Sequence, residues 1–313
     1  MTYIPPKPTT LGLIQLTDID LREIVPFIDW TFFFMAWRLS GKFKGIETVH
    51  DCPSCKMGWL QQFPEADHPK AEEALKLFKD AQEMLRQMLD EKVVSINASF
   101  GIFNGYADDD DVFIADKEQT IKVPMLRQQH AATDGFCYSL ADFVASENDY
   151  VGAFATTVIG VEAYAETFEK EDDVFRSILA KTLSDRLAEA AAEWLHWKVR
   201  KEYWGYASDE KLTIKEMLKT QYLGIRPAVG YPSLPDQSII FNLDPLLKFN
   251  EIGIQLTENG AMFPNASVCG LFFAHPKSKY FMIGKIDENQ FLDYAKRSGK
   301  SPEVLNKWMA ANL

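Results

Sequence analysis

The 313-residue sequence predicts an α+β fold in which a central antiparallel sheet is packed by helices. Three observations predict it. Strand-like runs come in clusters interrupted by helices rather than in strict strand-helix alternation. Two long segments carry apolar residues at the three- and four-residue spacing of amphipathic helices. No Gly-x-Gly-x-x-Gly follows a strand, no phosphate-cradling Gly-x-x-x-x-Gly-Lys-Ser/Thr occurs and no Gly-x-Ser-x-Gly elbow is present, so Rossmann, P-loop and α/β-hydrolase readings lose support.

Composition sets the limits. With 47% hydrophobic and 13% aromatic residues, the chain has ample material for a core, and disorder, collagen and coiled coil are excluded. The net charge of −12 argues against a nucleic-acid partner, because Lys and Arg must neutralise phosphates for most of that affinity. The most apolar run, 27–37, is too short to span a bilayer and carries Asp29, so no membrane association is expected. Four cysteines, Cys52, Cys55, Cys137 and Cys269, are too few and scattered to staple the chain, which suits a reducing, cytoplasmic setting.

Along the chain, residues 1–12 read as an extended tether, since three prolines favour polyproline II geometry, and 13–313 as one compact domain. A chain that opens this way is expected to be one module of something longer. Asp29 can cap a helix over 30–39 ended by Ser40-Gly41. Pro69 suits the first position of a second helix, whose Ala71, Ala74, Leu75, Phe78, Leu85, Met88 and Leu89 face a core. Short β-rich runs follow at 93–103, 112–115 and 120–124, separated by Asn104-Gly105 and by the acidic turn 108–111. After a strand at 150–158, a long helix is predicted over 172–204. It would bury Phe175, Leu179, Leu183, Leu187, Ala191 and Leu195, with acids at its start and bases at its end to suit the dipole. A Gly- and Pro-rich loop at 224–235, strands at 267–274 and 280–286, and two short helices, the last opened by Ser301-Pro302, complete the chain.

Four constellations could carry chemistry. In the loop 224–232, Pro227 and Pro232 fix the backbone while Gly224 and Gly230 permit positive φ, so main-chain groups are presented inflexibly. Arg226 offers a fork for a carboxylate or phosphate and Tyr231 a ring with a polar tip. The alternative is a tight turn with Arg226 in a surface ion pair. Asp185, Glu189, Glu193 and His196 share one stripe of the long helix. Either that stripe is a site, with Glu193 and His196 as the Glu-x-x-His step of a metal bundle, or it is a solvated face paired to Arg186 and Arg200. His50, Cys52, Cys55 and His68 could hold zinc, although the second half matches no finger spacing, and a reduced Cys pair in a loop is the simpler reading. A redox role for the pair lacks the helix start in a thioredoxin-like context that such activity uses. Asp29, an acid among aromatics, is either a helix cap or an acceptor for a ligand ammonium.

Taken together, eight collinear segments resemble the C-terminal S-adenosylmethionine-binding activation domain of cobalamin-dependent methionine synthase. They are Tyr-Ile-Pro-Pro at 3–6, Phe-Ile-Asp-Trp-Thr-Phe-Phe at 27–33, Leu-Arg-Gln-Gln at 126–129, Leu-Ala-Asp-Phe at 140–143, Asp-Arg-Leu-Ala-Glu-Ala at 185–190, Tyr-Trp-Gly-Tyr-Ala at 203–207, Gly-Ile-Arg-Pro-Ala-Val-Gly-Tyr-Pro at 224–232 and His-Pro-Lys-Ser-Lys-Tyr-Phe at 275–281. The resemblance implies a C-shaped domain with a twisted antiparallel sheet and a shallow groove for S-adenosylmethionine. It implies reductive methylation of cob(II)alamin, with cobalamin bound by a neighbouring domain not in this chain and an electron from a flavodoxin-type reductase. Carried over by position, Asp29 would accept from the ligand's ammonium and Arg226 would pair with its carboxylate. Ala228 would contact the ligand through its backbone, and Tyr280 and Phe281 would line the groove. Tyr231, Glu189 and Asp185 would face the cobalamin module. No residue of the domain is catalytic in this reading, which assigns it positioning alone.

The sequence departs from the family pattern in three places. Val229 stands where the family usually has proline, which would return a donor and loosen the groove. Gln237 and Thr220 replace a frequent histidine and acid, so neither takes a role. The stretch 52–69 resembles an insertion. Without the resemblance, the remaining reading is a self-contained metalloenzyme built on Glu193 and His196 or on Cys52 and Cys55.

Overall fold

In the computed structural model, which describes residues 3–313, the chain forms eight strands and ten α-helices joined by 3-10 turns. The order is β1 (Gly12–Ile19), α1 (Leu21–Ile24), α2 (Trp30–Ala36), α3 (Pro53–Leu60), α4 (His68–Glu91), β2 (Ser95–Asp108), β3 (Asp111–Ala115), β4 (Thr120–Pro124), β5 (Asp149–Ile159), α5 (Val161–Lys170) and α6 (Val174–Lys198). It continues with α7 (Ile214–Met217), α8 (Ile240–Leu247), β6 (Gln255–Leu256), β7 (Met262–Phe263), β8 (Ser267–Phe272), α9 (Glu288–Ser298) and α10 (Pro302–Met309). The main sheet runs β4-β3-β2-β5-β8, with β1 also on β2, and every pairing is antiparallel. The α+β class read from clustered strands holds. No helix among the described residues is long and apolar enough to cross a membrane.

The sheet is covered on both faces. Ile96, Ala98, Phe100 and Ile102 of β2 pack with α4, α5 and α6, whereas Val151, Ala153 and Ala155 of β5 pack with α8 and its flanking turns. Alternate residues therefore point into two different cores, which is why these strands do not alternate apolar with polar. Asn104-Gly105, expected to be a turn, lies inside β2: Asn104 pairs with Ala115 on one side and Tyr150 on the other. Gly105 is there for space, since a Cβ would meet the Phe113 carbonyl oxygen and a Val151 methyl, both at 2.9 Å. The turn belongs to the acids alone, with Asp109 at φ 48°.

Helix α4 buries the predicted stripe from Ala71 to Met88, with Pro69 in its first turn. Helix α2 stops at Ala36, short of Ser40-Gly41, because the chain turns already at Arg38, φ 59°. Helix α6 is capped by Asp173 and buries Leu179, Leu183, Leu187, Ala191 and Leu195, but Phe175 is exposed and packs at a tilt against Trp37. It gives way at Val199 to a wider π turn through Tyr203 rather than continuing to 204. Residues 280–286 do not form a strand; they are held by single bonds such as Ile283 N–H to the Pro232 carbonyl, 2.9 Å.

Residues 1 and 2 of the expected tether lie outside the described residues. From Tyr3 onward the segment is laid against the body: the Tyr3 ring sits on His275, Trp204 donates to the Pro6 carbonyl at 2.9 Å, and Thr10 donates to the Tyr203 carbonyl at 2.9 Å.

Candidate functional site: a groove between the proline ribbon and helix α6

Residues 225–229 lie along β8 as an added edge. Ile225 exchanges both backbone bonds with Phe273 at 3.0 Å, and the Pro227 carbonyl accepts from Leu271 at 3.0 Å. Gly224 and Gly230 bracket this ribbon at φ 81° and 85°, as the sequence required. Its close approach depends on Gly270, where a Cβ would stand 2.3 Å from the Pro227 carbonyl oxygen and 2.8 Å from the Ala228 Cα. Val229, expected to loosen the groove by regaining a donor, does the opposite: its N–H donates to the Cys269 carbonyl at 2.9 Å and its side chain is buried. A regained donor that finds a partner stiffens the ribbon.

The ribbon forms one wall of a groove of about 550 Å³ whose other walls are α6, the start of α2 and the extended segment after Tyr280. That volume lies within the range of small-molecule sites. Seven of the eight sequence-predicted residues line it: Asp29, Glu189, Arg226, Ala228, Tyr231, Tyr280 and Phe281. The eighth, Asp185, is exposed one turn further along α6, in an adjoining hollow that shares Arg186, Glu189 and Tyr231 with the groove.

Of the two readings the sequence allowed for Asp29, the structure shows the helix cap. It caps α2 by accepting from Thr31 N–H at 2.9 Å, and it lies on the groove wall. Arg226 is not in a surface ion pair. Its guanidinium Nη2 donates to Glu193 Oε2 at 2.7 Å, with side chains only 15% and 6% exposed. Burial disfavours the cation, but Glu193 beside it more than compensates and holds Arg226 above its ordinary range. The Arg226 backbone N–H donates to the Tyr280 hydroxyl at 3.0 Å, which lies 3.4 Å from the Tyr222 hydroxyl. Tyr231, half exposed at the rim, donates to Glu189, and burial together with that carboxylate raises its phenol.

The stripe of α6 is therefore not a solvated face. Glu193 and His196 are buried because Arg226 of the ribbon closes on Glu193, and Phe272 of β8, Tyr206 and Tyr222 close on His196. His196 stacks on Phe272, meets the Tyr222 ring edge-on, and is held neutral by burial and by nearby Arg200 and Arg226. Arg200 pairs with Glu210 at 2.7 Å, not with the stripe. Two polar atoms at the groove, Glu193 Oε1 and Arg226 Nε, are buried without a partner among the described residues. Neither metal reading gathers ligands: among the described residues no three His, Cys, Asp or Glu side chains converge. Cys52 and Cys55 are joined in a disulfide at the start of α3, not reduced in a loop.

Sequence reasoning missed Phe32, Tyr222 and Met282 on the walls, and it missed Glu193 as the partner of Arg226. The only available signal for Glu193 was its place on the stripe.

The profile of the family described as "Vitamin B12 dependent methionine synthase, activation domain" matches residues 20–299. The crystal structure of the MetH reactivation domain bound to AdoHcy is similar at 39% sequence identity and a TM-score of 0.87, over 99% of this chain and 93% of that one. A groove framed by an α2 acid, a buried arginine on a proline ribbon and a tyrosine pair, in a chain matched over nearly all its length, identifies it as a member of the vitamin B12-dependent methionine synthase activation-domain family.

Proposed function

We propose that the groove binds S-adenosylmethionine and presents its methyl group to cobalamin held by the neighbouring domain of the same methionine synthase, as a reactivation step. The observation that carries the reading is the placement of opposite charges, Asp29 and Arg226, on one groove of small-molecule size. The zwitterionic methionine end of the ligand asks for that arrangement: an acceptor for the ammonium and a guanidinium fork for the carboxylate. The unpartnered Arg226 Nε and Glu193 Oε1 are the orphaned donor and acceptor that such a ligand would engage. The related structure named above holds AdoHcy, the demethylated counterpart of the same ligand.

Ala228 would meet the ligand through its backbone, with Tyr280 and Phe281 on its flank. Tyr231 and Glu189 at the rim, and Asp185 beyond it, would face the corrin. The sulfonium would supply the methyl group, and the neighbouring domain's cobalamin, reduced by a flavodoxin-type donor, would accept it. This chain's residues bind and orient; none exchanges a proton or forms a bond. In this reading the domain alone does not make methionine from homocysteine and methyltetrahydrofolate, and the enzyme works in the cytoplasm with its reductase.

Calorimetric titration with S-adenosylmethionine and with S-adenosylhomocysteine tests the proposal. Saturable heat with the wild-type domain is expected, weakened about tenfold or more by Asp29→Asn, which keeps a capping oxygen but loses the charge. No heat with either ligand would overturn it.

A further inference from the structure

Outside the groove, the most developed chemical feature is the pair Cys52 and Cys55 in the sequence Cys-Pro-Ser-Cys. The helix start not expected from the sequence is present: Cys52 is the N-cap of the eight-residue helix α3, Pro53 follows inside its first turn, and the two sulfurs are bonded to each other. Both residues are partly exposed. Two groups converge on the Cys52 sulfur: the Cys55 backbone N–H donates to it at 3.1 Å, and the Ser54 hydroxyl lies 3.4 Å away. An anionic sulfur at this N-cap would keep the amide and gain the positive end of the helix dipole, which favours thiolate over thiol. The chain's other cysteines are a contrast: Cys269 is fully buried, with its thiol pushed up to about 12, and Cys137 stands alone.

We propose that Cys52 and Cys55 form a thiol–disulfide exchange site whose substrate class is a protein or small-molecule dithiol. A donor thiolate attacks the Cys55 sulfur; the Cys52–Cys55 bond breaks, and Cys52 leaves as the thiolate that the Cys55 N–H and the Ser54 hydroxyl hold. The donor's second thiolate then attacks its own sulfur in the mixed disulfide, freeing Cys55. Two electrons and two protons pass to the protein, which ends as a dithiol, while the donor ends as a disulfide. In the reverse sequence the Cys55 thiolate attacks a disulfide such as oxidised glutathione, releasing one glutathione thiolate, and the Cys52 thiolate then attacks the Cys55 sulfur of the mixed disulfide, releasing the second and re-forming the Cys52–Cys55 bond. The site is independent of the methyl-donor groove, so its test does not depend on that reading.

The experiment counts thiols. The folded domain is incubated with dithiothreitol or with oxidised glutathione, quenched in acid, unfolded and titrated. Two thiols are expected after oxidation and four after reduction, reversibly, with an unchanged far-ultraviolet circular dichroism spectrum. In single variants, Cys52 of Cys55→Ser is expected to be alkylated by iodoacetamide at pH 7 at least about tenfold faster than Cys55 of Cys52→Ser, with its rate half-maximal below the ordinary cysteine range of about 8.5. A pair that resists dithiothreitol in the folded protein, a disulfide that never re-forms, unfolding on reduction, or equal slow alkylation of the two cysteines would each overturn the proposal.

Discussion

Replacing Arg226 by methionine removes its ion pair with Glu193 and, on the proposed function, a contact with the ligand, and the two can be separated. The first is internal: Glu193 loses the guanidinium 2.7 Å away and keeps a carboxylate only 6% exposed. Breaking a buried pair from one side costs about 3–5 kcal/mol, and the open groove beside Arg226 places this case near the lower end, about 3 kcal/mol. For a chain of 313 residues, an unfolding entropy of about 2.1 cal/mol/K per residue converts that into a melting point lower by about 5 °C. The second, on the proposed function, is with the ligand carboxylate, a charge-assisted contact of about 1.5–3 kcal/mol, or about 10- to 150-fold in Kd for S-adenosylmethionine. The double variant Arg226→Met with Glu193→Met replaces the ion pair by apolar side chains of similar volume and should recover stability to within about 1 kcal/mol of wild type. It should not recover affinity. Thermal unfolding gives the first quantity and calorimetric titration the second. If the single variant binds with wild-type affinity, or the double variant regains it, Arg226 serves only the fold and the assignment of its guanidinium to the ligand is wrong.

Gly270→Ala should destabilise the domain by about 1–3 kcal/mol or more and abolish measurable ligand heat, because its methyl has backbone, not a flexible side chain, within 2.3 Å; unchanged denaturant midpoint and affinity would mean that the ribbon yields freely. Tyr231→Phe removes a rim hydroxyl that reaches Glu189. It should leave stability within about 0.5 kcal/mol and S-adenosylmethionine affinity within about threefold, while slowing recovery of the intact enzyme from its cob(II)alamin form; a large loss of affinity would move Tyr231 into the ligand site. Burial holds His196 neutral in the folded state, so below the unfolded value of about 6.5 only the unfolded chain takes the proton. Stability is full above pH 6.5 and falls by about 1.4 kcal/mol per pH unit beneath it, which urea titrations at pH 7 and pH 5.5 should show and His196→Phe should abolish. His275 is lowered as well, but at a half-exposed site, and a slope that survives in His196→Phe would assign the effect there.

Local physics explains which features could be read without the structure. The α4 stripe, the Asp173 cap of α6, the acidic turn between β2 and β3 and the Ser301-Pro302 opening of α10 each depend on residues within a few positions of one another. Gly224, Pro227 and Gly230 bracket and brace the ribbon for the same reason. Asp29 and Arg226 could be nominated, by residue type and by resemblance, although nothing in their separation along the chain says that they share a hollow.

Tertiary structure decided the rest, because the deciding neighbours are distant in sequence. Asn104-Gly105 has turn chemistry, yet β5 and β3 flank it and satisfy its backbone as strand. The stripe of Asp185, Glu189, Glu193 and His196 has the polarity of a wet face, but the ribbon, β8 and Tyr222 cover its far end, turning Glu193 into the buried counterion of Arg226 and leaving Asp185 the more exposed. Cys-Pro-Ser-Cys has the composition of a loop, yet it opens helix α3. A sequence states which groups can carry charge or donate a hydrogen bond; whether water reaches them depends on what packs against them, and that sets both their chemistry and their worth.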